Sequence, residues 1–94
     1  MASPEELLDG VTDRDSFIAF VEALASERTA AAEIERANPQ TYVVDGAHNW
    51  KNGEIDGFLY AALQYFQPKP FHQPEREPSW HMFAEFLWHG KIIE

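Results

Sequence analysis

Residues 78–90 read Pro-Ser-Trp-His-Met-Phe-Ala-Glu-Phe-Leu-Trp-His-Gly, and the spacing of their apolar side chains decides what kind of fold this chain builds. Ser79 or Glu77 can cap a helix running from about Pro78 to His89. Gly90 is available for a left-handed stop, and Lys91-Ile92-Ile93-Glu94 then leaves as an extended tail. At 100° per residue, Trp80, Phe83, Ala84, Leu87 and Trp88 share one side, an ordinary core face. Met82 and Phe86 fall on another side, and only His81, Glu85 and His89 leave a polar wedge. Apolar surface therefore covers roughly two thirds of the circumference, where an exposed amphipathic helix needs a stripe of about 100°. Such a helix is either central to its fold or covered by a partner. Met82 and Phe86 either meet a folded-back Pro-rich loop carrying Phe71 or form an interaction or dimer patch.

Upstream, Pro68, Pro70, Pro74 and Pro78 make residues 67–78 a stiff surface connection, since proline removes backbone donors and breaks helix and sheet alike. A second long helix is expected from about Glu54 to Gln67, with Asn52 as its cap. Ile55, Phe58, Leu59, Ala62, Tyr65 and Phe66 lie on one side of it, and Asp56, Tyr60 and Gln64 lie opposite. Thr41 to Val44 are β formers, and Asp45-Gly46 suits a two-residue hairpin turn if Ala47 to Trp50 returns as a strand. The first long helix starts at Thr12 or Asp13 and buries Phe17, Phe20, Val21 and Leu24, with Glu22 and Ser26 opposite. The same register would bring Glu35 to the buried side, which predicts a kink or restart near Thr29. Helix must end by Asn38, ahead of Pro39. Ser3, Pro4 and Glu6 open a short N-terminal turn that Gly10 stops. The expected fold is mainly α, one domain over residues 1–94 with three principal helices and a short N-terminal helical turn. A hairpin at Asp45-Gly46 would make it α+β with a minor sheet. Trp50, Phe58, Trp80, Phe83 and Leu87 are expected to meet in one core.

Ninety-four residues allow a single core. Sixteen acids against seven bases give a net charge of −9, which disfavours direct contact with phosphate backbones and anionic lipid. No cysteine is present, so thiolate chemistry and disulfides are excluded. The apolar runs are too short for a spanning helix and the acidic start does not read as a signal peptide, which suits cytoplasm. Charge is uneven: residues 1–45 carry a net −7 and residues 46–94 a net −2, while eleven of thirteen aromatic residues lie at or after Tyr42. An acidic face on an aromatic body suits docking of a basic protein, with Asp9, Asp13, Asp15 and Glu22 as the candidate acids; solubility alone is the simpler alternative.

Catalytic patterns are missing. No serine sits in a Gly-x-Ser-x-Gly elbow, and neither a phosphate loop nor a His-Glu-x-x-His motif occurs. His81, Glu85 and His89 form one row at four-residue spacing and are the weak candidates for a metal site. A structural zinc would need further ligands, and a solvated row with Glu-His pairing is the plainer reading. No cofactor is expected.

Three motifs carry a family resemblance over most of residues 11–94: Phe17-Ile18-x-Phe20, Trp50-x-Asn52-x-x-Ile55-x-x-Phe58-Leu59-x-Ala61, and Pro78-Ser79-Trp80-x-x-Phe83-Ala84-x-x-Leu87 closing on Ile92-Ile93-Glu94. The chain resembles a family of small, mainly helical bacterial domains of unknown function, some near toxin and immunity genes. The shared positions are aromatic and aliphatic, so the resemblance implies a fold and carries over no catalytic residue. The expected function is a non-enzymatic protein-interaction module, of the immunity or antitoxin kind, that inhibits a basic protein; a homodimer is also compatible. The alternatives are an acidic mimic of nucleic acid and a small metal-binding protein.

Overall fold

The structure, a computed structural model, describes residues 2–42, 46–66 and 78–93. Four α-helices follow in order: α1 Pro4–Leu8, α2 Arg14–Ala37, α3 Ile55–Phe66 and α4 Trp80–Ile92, with one 3-10 turn at Ala47–Asn49. The chain is mainly α. The described residues contain no strand, so the α+β alternative is not supported.

Local chemistry sets the starts. Ser3 Oγ accepts from the Glu6 N–H at 3.3 Å with Pro4 in the first helical position. At α2 the Asp13 carboxylate accepts from the Ser16 N–H at 2.8 Å, while the Ser16 hydroxyl accepts from the Asp13 N–H at 3.1 Å. Two backbone donors that helix geometry leaves unpaired are satisfied at once. Ser79 caps α4 by accepting from the Met82 N–H at 3.0 Å.

α2 runs unbroken for 24 residues, without the kink or restart expected near Thr29. The Thr29 hydroxyl folds back onto the Ala25 carbonyl at 3.1 Å, a bond the helix accommodates. Continuity holds because Glu35 is served where the register carries it. Arg28 donates to its Oε1 at 2.7 Å, and the Ala47 N–H to its Oε2 at 2.9 Å. A carboxylate facing inward is tolerated once paired.

That same carboxylate organises the segment expected to return as a strand. Ala47–Asn49 forms a 3-10 turn in which His48 and Asn49 hold left-handed φ of 56° and 65°, and the Gly46 N–H donates to the Trp50 carbonyl at 2.7 Å. A Cβ on Gly46 would lie 2.6 Å from both Glu35 Oε2 and the Trp50 oxygen, so glycine is needed here for close approach rather than as a hairpin corner. Val43 to Asp45, the other half of the supposed hairpin, lie outside the described residues, as do Gln67 to Glu77 of the Pro-rich connection.

Two further end-points differ from expectation. Asn52 does not cap α3; its side-chain amide donates to the Gly90 carbonyl at 3.0 Å and to that of Ile93, closing the far end of α4. Nor does Gly90 stop α4, which continues through Lys91 to Ile92, and no described glycine has positive φ. Gly90 is where α4 meets α3: a Cβ there would fall 2.9 Å from the Phe58 ring. Gly90→Ala should therefore lower stability by about 1 to 2 kcal/mol despite the better helix propensity of alanine. A thermal melt in which this variant gained stability would show that the two helices do not pack this closely.

The core is Val11, Phe20, Leu24, Ala31, Ala47, Trp50 and Ala84, with Phe17, Val21, Phe58, Leu87 and Trp88 packed partly buried against it. Trp80 and Phe83 do not belong to its centre, being 37% and 41% exposed. The buried side of α4 is rotated toward Met82 and Ala84, because this helix is wedged among α1, α2 and α3 and not laid on one neighbour. On α3 the buried side is Ala61 and Ala62 with Phe58 half-buried, whereas Ile55 is 80% exposed.

Candidate functional site

Two constellations stand out. The first is an aromatic cluster on the surface. Phe17 near the start of α2 meets Trp80 at 5.4 Å between ring centroids and Phe83 at 6.3 Å, and Trp80 meets Phe83 edge-on at 5.9 Å. Trp80 occupies the first position of α4, and Phe83 lies one turn on. The mixture of tilted and edge-to-face geometries is favourable between aromatic quadrupoles, so the three rings form a stiff platform. Asp13 precedes Phe17 by one turn of α2, its carbonyl accepting from the Phe17 N–H at 3.0 Å. Its carboxyl lies below the usual aspartate range, held there by the Ser16 hydroxyl and then by the Ser16 N–H. Asp9, Asp15 and Glu22 are exposed.

Met82 and Phe86 do not make a second open patch. Met82 is buried, and Phe86 is half-buried with its ring edge-on to Phe66 at 5.3 Å. Phe71, the alternative cover for these two, lies outside the described residues. In the histidine row, His81 Nδ1 lies 3.1 Å from Glu85 Oε1, while His89 Nδ1 is 2.7 Å from the Glu85 carbonyl of its own helix. Among the described residues no group of three or more histidine, aspartate or glutamate side chains is placed to hold a metal ion.

The second constellation is a charged knot inside the fold. Lys91, only 4% exposed, donates to Glu27 Oε1 at 2.5 Å, and Trp50 Nε1–H donates to the same oxygen at 2.9 Å. The Lys91 ammonium also lies 4.8 Å from the Trp88 ring centroid and 5.5 Å from that of Trp50. Arg28 covers Trp50 from another side at 5.3 Å, and its Nη1 is buried with no hydrogen-bond partner among the described residues. Glu35 lies below the usual glutamate range, chiefly through its bond from Arg28, against the opposing effect of burial. A cleft of about 300 Å³ opens here, lined by Arg28, Glu35, Tyr42, Trp50, Asn52 and Gly57 among others. Arg28 and Lys91 are each matched by a glutamate, so the knot reads as structural cement with no net charge to attract an ion. Sequence spacing could not reveal it, since Lys91 and Glu27 are 64 residues apart.

The fold and the aromatic surface define a small helical domain with a partly exposed cluster of three rings. Searches against family models, curated proteins and solved structures find no match to this chain. No described helix is long and apolar enough to cross a membrane.

Proposed function

We propose that this chain is a non-enzymatic protein-interaction module that docks a basic protein on the Phe17-Trp80-Phe83 platform. Asp9, Asp13 and Asp15 steer the encounter. The exposure of Trp80 and Phe83 at 37% and 41% carries the reading. Both side chains pack on aromatic neighbours while more than a third of each stays in water, and tryptophan is enriched among the residues that dominate binding energy. The charge of −9, concentrated in the first half of the chain, supplies long-range attraction to a basic partner. An inhibitor of the immunity or antitoxin kind is the form of this function that the resemblance of the three motifs supports.

Surface-binding kinetics with a partner captured from the native host tests both halves of the proposal. Trp80→Ala with Phe83→Ala should speed dissociation about 100-fold, as loss of central anchors does. Asp13→Asn with Asp15→Asn keeps a capping residue at position 13, so the helix start survives. Association should slow several-fold and lose part of its salt dependence. An acidic partner, or one indifferent to both pairs of substitutions, overturns the proposal.

A further inference from the structure

Two of the three tryptophans carry a cation of this chain over their rings. Arg28 and Lys91 lie 5.3 and 5.5 Å from the Trp50 centroid, and Lys91 lies 4.8 Å from that of Trp88. Trp80 has neighbours of another kind. Phe17 is tilted against it at 5.4 Å and Phe83 stands edge-on at 5.9 Å. Among the described residues no lysine or arginine covers the Trp80 ring, and none accepts from its indole N–H. With 37% of the residue exposed, Trp80 keeps ring surface that the chain itself leaves unused.

We propose that Trp80 receives an arginine side chain of the basic partner, an assignment that rests on the docking reading and names the residue type it takes. The negative face of an indole attracts a cation. At a ring that still meets water, arginine is favoured over lysine. A planar, weakly hydrated guanidinium stacks while keeping its hydrogen bonds in plane, whereas an ammonium must shed a tighter hydration shell. The chain's own usage agrees: Arg28 covers Trp50 with 24% of its side chain exposed, while Lys91 reaches its rings at 4%. Charge selects a cation over other planar groups. α1 packs against both α2 and α4, and Phe17 joins the start of α2 to Trp80, so residues 5–15 belong to this end of the fold. They hold Glu5, Glu6, Asp9, Asp13 and Asp15 against Arg14 alone, a net −4. The positive start of the α4 dipole opposes a cation, at about half a charge against those four. The three rings are already in contact at 5.4 to 6.3 Å, which leaves no gap between them for a caged ammonium, so the cation lies on the outer surface.

A tetra-arginine peptide amide is the probe, titrated into the isotope-labelled full chain at about 50 mM salt and followed by nuclear magnetic resonance. The Trp80 indole N–H signal is identified by its loss in Trp80→Phe. It should shift saturably with a dissociation constant on the order of 1 mM, while the indole signals of Trp50 and Trp88 stay in place. A tetra-lysine peptide of equal charge should bind about threefold more weakly. Trp80→Leu keeps apolar bulk and removes the ring; followed at the Phe83 backbone N–H, it should weaken tetra-arginine at least about threefold. If that variant lost its helical circular dichroism, the wild-type comparison of the two peptides decides. Equal binding of the two peptides, or shifts confined to the backbone of the acidic residues, overturns the assignment in favour of charge alone. The captured partner separates this from the docking reading. Partner binding lost in Trp80→Ala with Phe83→Ala while tetra-arginine leaves Trp80 unshifted keeps the docking surface and removes the arginine. A partner indifferent to that pair, beside a selective shift of Trp80, removes the docking reading and leaves the arginine site standing.

Discussion

Replacing Glu27 by alanine is expected to cost about 3 kcal/mol of stability, among the largest effects open to a side chain that is not itself buried core. The Glu27 carboxylate neutralises Lys91, which is 4% exposed, and also accepts from Trp50 Nε1–H, so its loss strands a buried ammonium and an indole donor together. The low end of the range for a broken buried pair applies, because Glu27 keeps 20% of its side-chain surface in water. Adding Lys91→Met to Glu27→Ala removes the stranded charge and keeps a long apolar side chain between the two tryptophans. Urea unfolding should then recover about half of the loss. If Glu27→Ala lay within about 0.5 kcal/mol of wild type, the range of ordinary surface substitutions, the pair would not be closed in solution.

Trp50 and Trp80 should separate sharply. Trp50→Ala is expected to cost about 4 kcal/mol, as large-to-small changes at buried aromatic sites do. Trp50 is 4% exposed, stacks on Phe58 at 6.2 Å and is flanked by Arg28 and Lys91. Trp80→Ala should cost less, about 2 kcal/mol, because 37% of the residue is exposed and part of its ring already meets water. A Trp80→Ala chain that unfolded as readily as Trp50→Ala would return Trp80 to the core and remove the anchor from the proposed platform.

Legibility varied along the chain for physical reasons. The helix starts at Ser3, Asp13 and Ser79 were readable because a cap is chemistry between residues three apart. The stripe Phe17 to Leu24 was readable because α2 has one buried side. α4 was not, because it is enclosed from several directions, and periodicity cannot say which part of a nearly all-apolar circumference faces water. Trp80 and Phe83 were expected in the core for that reason, and Met82 on a different side, under the Pro-rich loop or in an interaction patch.

Composition, caps and helical spacing by themselves determined that this is a mainly α domain with three principal helices, an acidic first half and an aromatic second half. Those properties depend on neighbours within a turn or on sums over the chain. Tertiary structure alone decided that α2 stays unbroken past Thr29 and that Gly46 serves a tight approach. It also decided that Asn52 closes α4 and that Lys91 is a core residue. Each of these rests on a partner brought close by packing: Ala47 N–H for Glu35, the Trp50 carbonyl for Gly46, the Gly90 carbonyl for Asn52, and Glu27 for Lys91. An inward polar group is costly or stabilising according to whether such a partner is present, and that depends on the packing of distant segments, which local spacing does not encode.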